Sequence, residues 1–232
     1  MTDTTTDPDT GAKGFGLRAL AAQGIPTPPT FPVPLNPVGG SGCPPVPPGS
    51  GGYIVRASPV VDFAVLPLLS GLYDSVRIER FEDLPPAVEQ IRQSAMDEAV
   101  RTRLDEHRLP PPRVVELLQP YFTALISGIA HVDPRRGIRT AWREGNLEPL
   151  AGGHAAGELQ CVLPYTGIVR GPADDSDRIA WWSDRIALAF TELAKLRTSM
   201  QVLEVEWLVD LRGRFYGLQA QPLLDDGMRD DW

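Results

Sequence analysis

Near the start of the chain, Leu17, Leu20 and Ala21 fall at the i, i+3, i+4 spacing of one helical face. That spacing predicts a short helix with Lys13 just ahead of, or in, its first turn. Gly24 suits the left-handed residue after a helix end, and Pro26 cannot continue the helix. From residue 53 the pattern becomes that of a folded domain. "YIVRAS" reads as a short strand, and Leu84 to His107 as one helix, with Pro85 and Pro86 tolerated in its first turn and Val88, Ile91, Ala95 and Ala99 as its apolar stripe. Strand-like runs follow at 113–118, 125–132, 137–142 and 157–163. A long helix is expected from about Ser176 to Met200, with Ile179, Trp182, Ile186, Ala189, Phe190, Leu193 and Leu196 on one face.

The last stretch, "VLEVEWLVDLRGRFYGLQAQPL", alternates cleanly. Leu203, Val205, Trp207 and Val209 share one face, and Glu204 and Glu206 the other. On the return, Tyr216, Leu218 and Ala220 oppose Gln219 and Gln221. A two-residue Arg212-Gly213 turn pairs Glu206 with Gln219 and Glu204 with Gln221. Antiparallel strands with helices packed on them, rather than alternating with them, define an α+β class.

Composition narrows the function. The 232 residues are enough for one large domain or two small lobes. Lys and Arg number 22 against 30 Asp and Glu, a net charge of -8, which opposes nucleic acid as a partner. Cys43 and Cys161 lie far apart, in no disulfide or zinc pattern, so a reducing cytoplasmic setting is expected. The acidic opening MTDTTTDPDT lacks the apolar core of a signal peptide, and no apolar run is long enough to span a bilayer, so no membrane role is expected. Prolines and glycines concentrate between residues 26 and 52, which reads as a connector. The expected organisation is a disordered tail at 1–10, a Lys-bearing turn and helix of a first lobe at 11–38, and a Pro/Gly linker at 39–52. The rest of the first lobe follows at 53–112, a second lobe at 113–224, and an acidic tail at 225–232.

Two clusters have chemical meaning. Glycines beside a lysine at a helix start let backbone N–H groups and an ammonium approach a phosphate together, though an exposed lysine in an ordinary loop fits the same four residues. Glu204, Glu206, Gln219 and Gln221 present oxygen atoms at neighbouring cross-strand positions, a hard-ligand set suited to Mg²⁺; the other reading is the solvated face of an amphipathic hairpin. No Ser/His/Asp or Cys/His arrangement is legible. His154 in "GGHAAGEL" weakly echoes a phosphohistidine motif, His107 reads as an exposed helix end, and His131 fits either face of its strand. Trp181-Trp182 reads as helix-on-sheet packing.

The order of short motifs resembles the ATP-grasp nucleotide-binding domain of pyruvate phosphate dikinase, phosphoenolpyruvate synthase and rifampin phosphotransferase. The matching pieces are Lys13 in "GAKG", "GIPTPPTF", Arg56 in "VRAS", "LSGLYDSV" at 69–76, and Gln119 in "ELLQP". "SGIAHVDP" at 127–134, Glu148 in "NLEPLAGG", Glu206 in "LEVEW" and Gln219 in "LQAQP" complete the set, which runs end to end. The resemblance implies two lobes of antiparallel sheet with packed helices around a nucleotide cleft, with ATP and Mg²⁺ as cofactors. Lys13 and Arg56 would neutralise phosphate oxygens and serve catalysis; Ser70, Gly71 and Ser75 would form a small-residue cover. The hinge after Gln119, with Tyr121, would meet adenine, Glu148 and Gln221 would complete the nucleotide site, and Glu206, Gln219 and Glu204 would hold the metal. It implies a kinase-like phosphotransferase acting on a small-molecule acceptor or on a separate phosphohistidine-domain protein; a catalytically impaired ATP-binding or regulatory module is the alternative. Gln221 stands where the family has arginine, the chain is shorter than the usual domain, and neither the swivelling phosphohistidine domain nor the phosphoenolpyruvate barrel of full-length relatives is expected in it.

Overall fold

A computed structural model describes residues 9–33, 50–69, 72–147, 159–163, 177, 183–198 and 202–223. Within it the α+β class holds. The chain forms a four-stranded and a five-stranded antiparallel sheet, and divides into two compact units, 1–15 with 28–122 and 16–27 with 123–232.

In the first unit the strand order is β1-β4-β2-β3, formed by β1 (Phe31–Pro32), β2 (Ser50–Val60), β3 (Ser75–Ile78) and β4 (Arg113–Phe122). β4 lies along β2, with Ile54 opposite Gln119 and Arg56 opposite Leu117. This pairing carries the unit to Phe122, beyond the boundary expected at 112. Ser50 to Gly52, expected in the linker, already belong to β2, and Asp9 and Thr10, expected in the N-terminal tail, form a turn leading into the first helix; the remainder of the linker and of both tails lies outside the described residues. One sheet face buries Tyr53, Val55, Ala57, Ile78 and Leu118 against Leu84, Ala87, Val88 and Ile91 of α2 (Leu84–Ser94).

The single helix expected over 84–107 is two. After α2, Asp97 takes an extended conformation (φ -61°, ψ 156°) and starts α3 (Glu98–Glu106) as its N-cap residue. Its backbone carbonyl accepts from the Arg101 N–H at 3.0 Å, while its side chain makes no capping hydrogen bond. Ala95 and Ala99 therefore do not continue one stripe: α3 buries Val100 and Leu104 in a separate cluster with Leu69.

The second unit has the order β7-β6-β5-β8-β9: β5 (Ala124–Asp133), β6 (Gly137–Glu144), β7 (Leu159–Leu163), β8 (Leu203–Asp210) and β9 (Phe215–Pro222). Its core gathers Ala130, Ile138, Trp142, Val205, Trp207 and Phe215 with Ile186, Ala189, Phe190 and Leu193 of α4 (Ser183–Leu193), whose last turn continues as a 3-10 segment carrying buried Leu196. The apolar face expected of the long helix is thus the buried one where it is described. Ile179, Trp181, Trp182, Cys43 and His154 lie outside the described residues.

The helix expected near the N-terminus is α1 (Gly11–Ala22). Its end is a Schellman cap: Gly24 takes φ +73°, its N–H bonds to the Ala21 carbonyl, and the Ile25 N–H bonds to the Leu20 carbonyl at 3.1 Å. Leu20 and Ile25 then bury together in the second unit's core, as such caps favour. Ala21, expected on the apolar face, is exposed instead. Among the described residues no helix is long and apolar enough to cross a membrane.

The β8–β9 hairpin pairs Glu206 with Gln219 and Glu204 with Gln221, as expected, but by another route. The loop has three residues, not two, closed by Asp210 N–H to Arg214 O, with Gly213 at φ +75°. That moves the register by one. A bulge then places Trp207 opposite Gly217 while Glu206 stays opposite Gln219, which moves it back. The bulge also corrects the face assignment in β9. Phe215, stacked on Trp207 at 6.0 Å, faces the core, and Tyr216, opposite Leu208, lies on the glutamate face. Leu218, the extra residue of the bulge, is half-buried rather than part of the core.

Asp210 organises this loop. Its carboxylate accepts from the Arg212 and Arg214 backbone N–H groups at 2.8 and 2.9 Å and from Arg214 Nε at 2.8 Å. Burial works against its charge, but the bonds from Arg214 and Arg212 outweigh burial and hold the carboxyl below the ordinary aspartate range. A lowered folded value contributes stability that is full above the unfolded aspartate value and is lost as pH falls through the folded one. Asp210→Asn is expected to cost about 1–3 kcal/mol at pH 7. In urea unfolding, that difference should shrink steadily as the pH is lowered toward 3.

Candidate functional site

In the first unit, the sheet face opposite α2 carries most of the sequence-predicted residues. The Lys13 backbone N–H donates to Ser58 Oγ at 2.9 Å, and Ser58 Oγ donates to the Thr10 carbonyl at 2.7 Å. Lys13 Nζ donates to the Ala57 carbonyl at 2.6 Å. The "GAKG" turn is thus docked on the "VRAS" strand. Gly11 is required there, because a Cβ on it would sit 2.5 Å from the Ser58 carbonyl oxygen.

Arg56 is 8% exposed and reaches Gln119 Oε1 through Nη1 at 3.5 Å. Gln119 Nε2 donates to Thr30 Oγ1 at 2.8 Å, and Thr30 Oγ1 donates to the Pro28 carbonyl. Three motifs distant in sequence, "VRAS", "ELLQP" and "PTPPTF", therefore meet through side chains. Thr30 is the partner that the sequence reading missed. After Gln119 the chain does not leave the sheet: Pro120 lies opposite Tyr53, and β4 runs on to Phe122.

Ser75, from the expected cover segment, opens β3 directly opposite Arg56; Ser70 and Gly71 lie outside the described residues, as does Glu148. Arg77, two residues on, shares that face, diagonal to Arg56, and its guanidinium lies 4.3 Å from the Tyr121 ring centroid. Tyr121 is buried beneath it. Arg77 is a second strand cation on this face, and its two-residue offset from Ser75 in "SVRI" was the available signal.

In the second unit, the sheet face turned away from α4 carries the oxygen-bearing side chains expected from the sequence. Strand pairing sets His131, Glu204 and Gln221 in one row across β5, β8 and β9, and Ile129, Glu206 and Gln219 in the next. Glu204 accepts from Gln221 Nε2 at 2.7 Å through one oxygen, and its other oxygen lies 3.3 Å from His131 Nε2. Burial opposes ionisation of Glu204, but hydrogen bonds from His131 and Gln221, with the attraction of the imidazole, hold its carboxyl below the usual range. Gln219 Nε2 donates to Gln221 Oε1 at 3.3 Å. His131, undecided from the sequence, lies on the glutamate face.

Among the described residues no group of three or more His, Cys, Asp or Glu side chains is arranged to hold a metal. Two carboxylates beside amide oxygens fit instead a weakly held hard cation that keeps water or phosphate oxygens in its shell.

No family profile matches the sequence, and no curated protein matches it. Solved structures similar to the chain include L-amino acid ligase from Bacillus licheniformis, at 10% identity and TM-score 0.49 over 94% of this chain and 44% of that one. N5-carboxyaminoimidazole synthetase from Staphylococcus aureus matches at 13% identity and TM-score 0.44, over 94% and 45%. D-alanine-D-alanine ligase from Helicobacter pylori matches at 12% identity and TM-score 0.42, over 93% and 54%. The chain spans about half the length of these proteins, and likeness at these scores carries no argument about its reaction.

Proposed function

We propose that the chain is an ATP-grasp-type module that binds Mg·ATP and moves phosphate to a partner histidine or a small-molecule acceptor. The observation that carries this reading is the pairing of Glu206 with Gln219 on a half-buried polar face, at the positions where the motif resemblance expects metal ligands. The docking of Lys13 on the strand of Arg56 supports it from the first unit. In this reading Lys13 and Arg56 meet phosphate oxygens, Glu206 and Gln219 meet the metal, and the metal supplies neutralisation of charge on the phosphates. Phosphoryl transfer needs little covalent help, so charges placed around the triphosphate account for most of the rate.

A second reading, nucleotide binding without efficient transfer, is favoured by Gln221. It is neutral where the family has arginine, and its amide is committed to Glu204. Loss of a fixed cation near the transferred phosphate costs on the order of 10³-fold or more in rate. Formation of ADP or AMP from Mg·ATP with candidate acceptors separates the two, AMP marking the dikinase-like route. Both readings require binding, which thermal unfolding tests. A ligand held only by the folded state contributes about 2.7 kcal/mol at a hundredfold excess over Kd, or several degrees in Tm. A rise with Mg·ATP that EDTA reverses is expected; an unchanged midpoint at millimolar nucleotide overturns both.

A further inference from the structure

A single hydroxyl holds both sides of the turn that carries Lys13. Ser58 is fully buried, and its Oγ accepts from the Lys13 backbone N–H at 2.9 Å while donating to the Thr10 carbonyl at 2.7 Å. The partners fix this direction, since an amide N–H only donates and a carbonyl only accepts. Lys13 is the third residue of α1, so its N–H is one of those that a helix leaves without an intrahelical partner. A residue at the helix start commonly caps that N–H; here the hydroxyl comes from β2, 45 residues away in sequence. The Thr10 carbonyl also accepts the Gly14 N–H at 3.3 Å, so the grip includes the first turn of α1. Between the two bonds lies Gly11, at φ +59°, where a Cβ would stand 2.6 Å from Ser58 Oγ. The same docking places the Lys13 ammonium. β3 begins at Ser75, opposite Arg56, and Ala57 is the next residue along β2. The Ala57 N–H meets the Asp74 carbonyl at 3.3 Å, and its carbonyl accepts from Lys13 Nζ at 2.6 Å. The ammonium thus takes a carbonyl that a longer β3 would have paired. Lysine carries its charge on a flexible four-carbon stem, so the charge has a defined position only where the backbone beneath it is held.

We propose that Ser58 is a positioning residue: by pinning the turn at Thr10 and Lys13, it holds the Lys13 ammonium on the Ala57 carbonyl, one residue from Arg56 in β2, for contact with a nucleotide phosphate. The inference rests on the phosphate reading of Lys13. It adds that the Lys13 N–H is committed to Ser58, so that Lys13 meets the anion through its side chain.

The test measures Mg·ATP affinity of the full chain in the parent, Ser58→Ala, Lys13→Ala and the double variant. Lys13→Ala is expected to weaken binding about 10- to 100-fold, the loss of a charge-assisted bond. Ser58→Ala should weaken it about 3- to 10-fold with Lys13 present, and by no more than about 2-fold once Lys13 is alanine, because a residue acting through Lys13 then has nothing to place. Amide hydrogen exchange of the ligand-free chain is the second readout. The Lys13 amide should be protected in the parent and exchange at least about 10-fold faster in Ser58→Ala, with the Leu20 amide of the same helix unchanged. Gly11→Ala pushes the turn off the strand from the other side and should reproduce both signatures, which keeps the comparison available if Ser58→Ala does not fold; thermal midpoints report folding. Ser58→Ala with parent affinity, or with the same loss whether or not Lys13 is present, overturns the inference while leaving the phosphate reading intact if Lys13→Ala has lost binding. A Lys13 amide that exchanges in the parent at the rate of an unfolded chain overturns it too. Lys13→Ala with parent affinity, or a parent that binds no Mg·ATP, overturns the phosphate reading, and the inference with it.

Discussion

Trp207→Ala is expected to destabilise the chain by about 3–5 kcal/mol, the cost of emptying a large aromatic site in a packed core. Trp207 is fully buried, stacks on Phe215, and donates from Nε1 to Thr140 Oγ1 at 3.0 Å. Neither the volume nor the bond is replaced by alanine. Because whole domains are stable by only about 5–15 kcal/mol, the variant should be marginally folded at 37 °C. Trp207→Phe keeps most of the packing and loses the donor, for a smaller cost of about 1–2 kcal/mol. Urea midpoints and the near-ultraviolet dichroism of the tryptophans read both. An alanine variant within about 1 kcal/mol of the parent would contradict the placement of Trp207 at the centre of the second unit's core.

Glu206→Gln is the second large effect, and it falls on binding rather than on stability. The side chain is half-buried on the polar face, and an amide of the same length preserves the strand pairing with Gln219. The unfolding free energy should stay within about 0.5 kcal/mol of the parent. A hard cation loses a charged ligand, so Mg·nucleotide affinity should fall at least about 10-fold. Stability and binding moving together would instead mark Glu206 as a structural residue.

Much of the fold was legible because alternation is a local property. The residues expected on the core side of β8 are those in the second unit's core. Gly24 behaves as its position after an apolar run requires. What local pattern could not carry was the count of residues in a turn. The pairing of Glu206 with Gln219 follows from a three-residue loop and a compensating bulge, and only the displaced Tyr216 and Leu218 reveal that the route differed. The break at Asp97 was missed because a stripe can be drawn through Ala95 and Ala99, and alanine marks a helix without saying where it packs. The membership of β4 depends on its pairing with β2, a contact between distant segments that periodicity does not encode.

The candidate site divides in the same way. The pairs Glu206–Gln219 and Glu204–Gln221 were named from the sequence, through a two-residue turn that the structure replaces with a three-residue loop and a bulge. The connections that give them direction were not. Thr30 with Gln119, Arg77 over Tyr121 and His131 with Glu204 are contacts between side chains from separate segments, and Ser58 Oγ takes the backbone N–H of Lys13. Each is a tertiary contact whose residues look ordinary in sequence. His131 illustrates the point: the alternation of β5 permits either face, and only its pairing opposite Glu204 decides.

Calorimetric titration of ATP into the full chain, with Mg²⁺ and with EDTA, tests the account most directly when Glu206→Gln is measured beside the parent. Saturable binding of Mg·ATP to the parent, much weaker binding of metal-free ATP, and little difference between the two forms of nucleotide in the variant are expected. Equal affinity of parent and variant for Mg·ATP, or no binding by the parent, would contradict it.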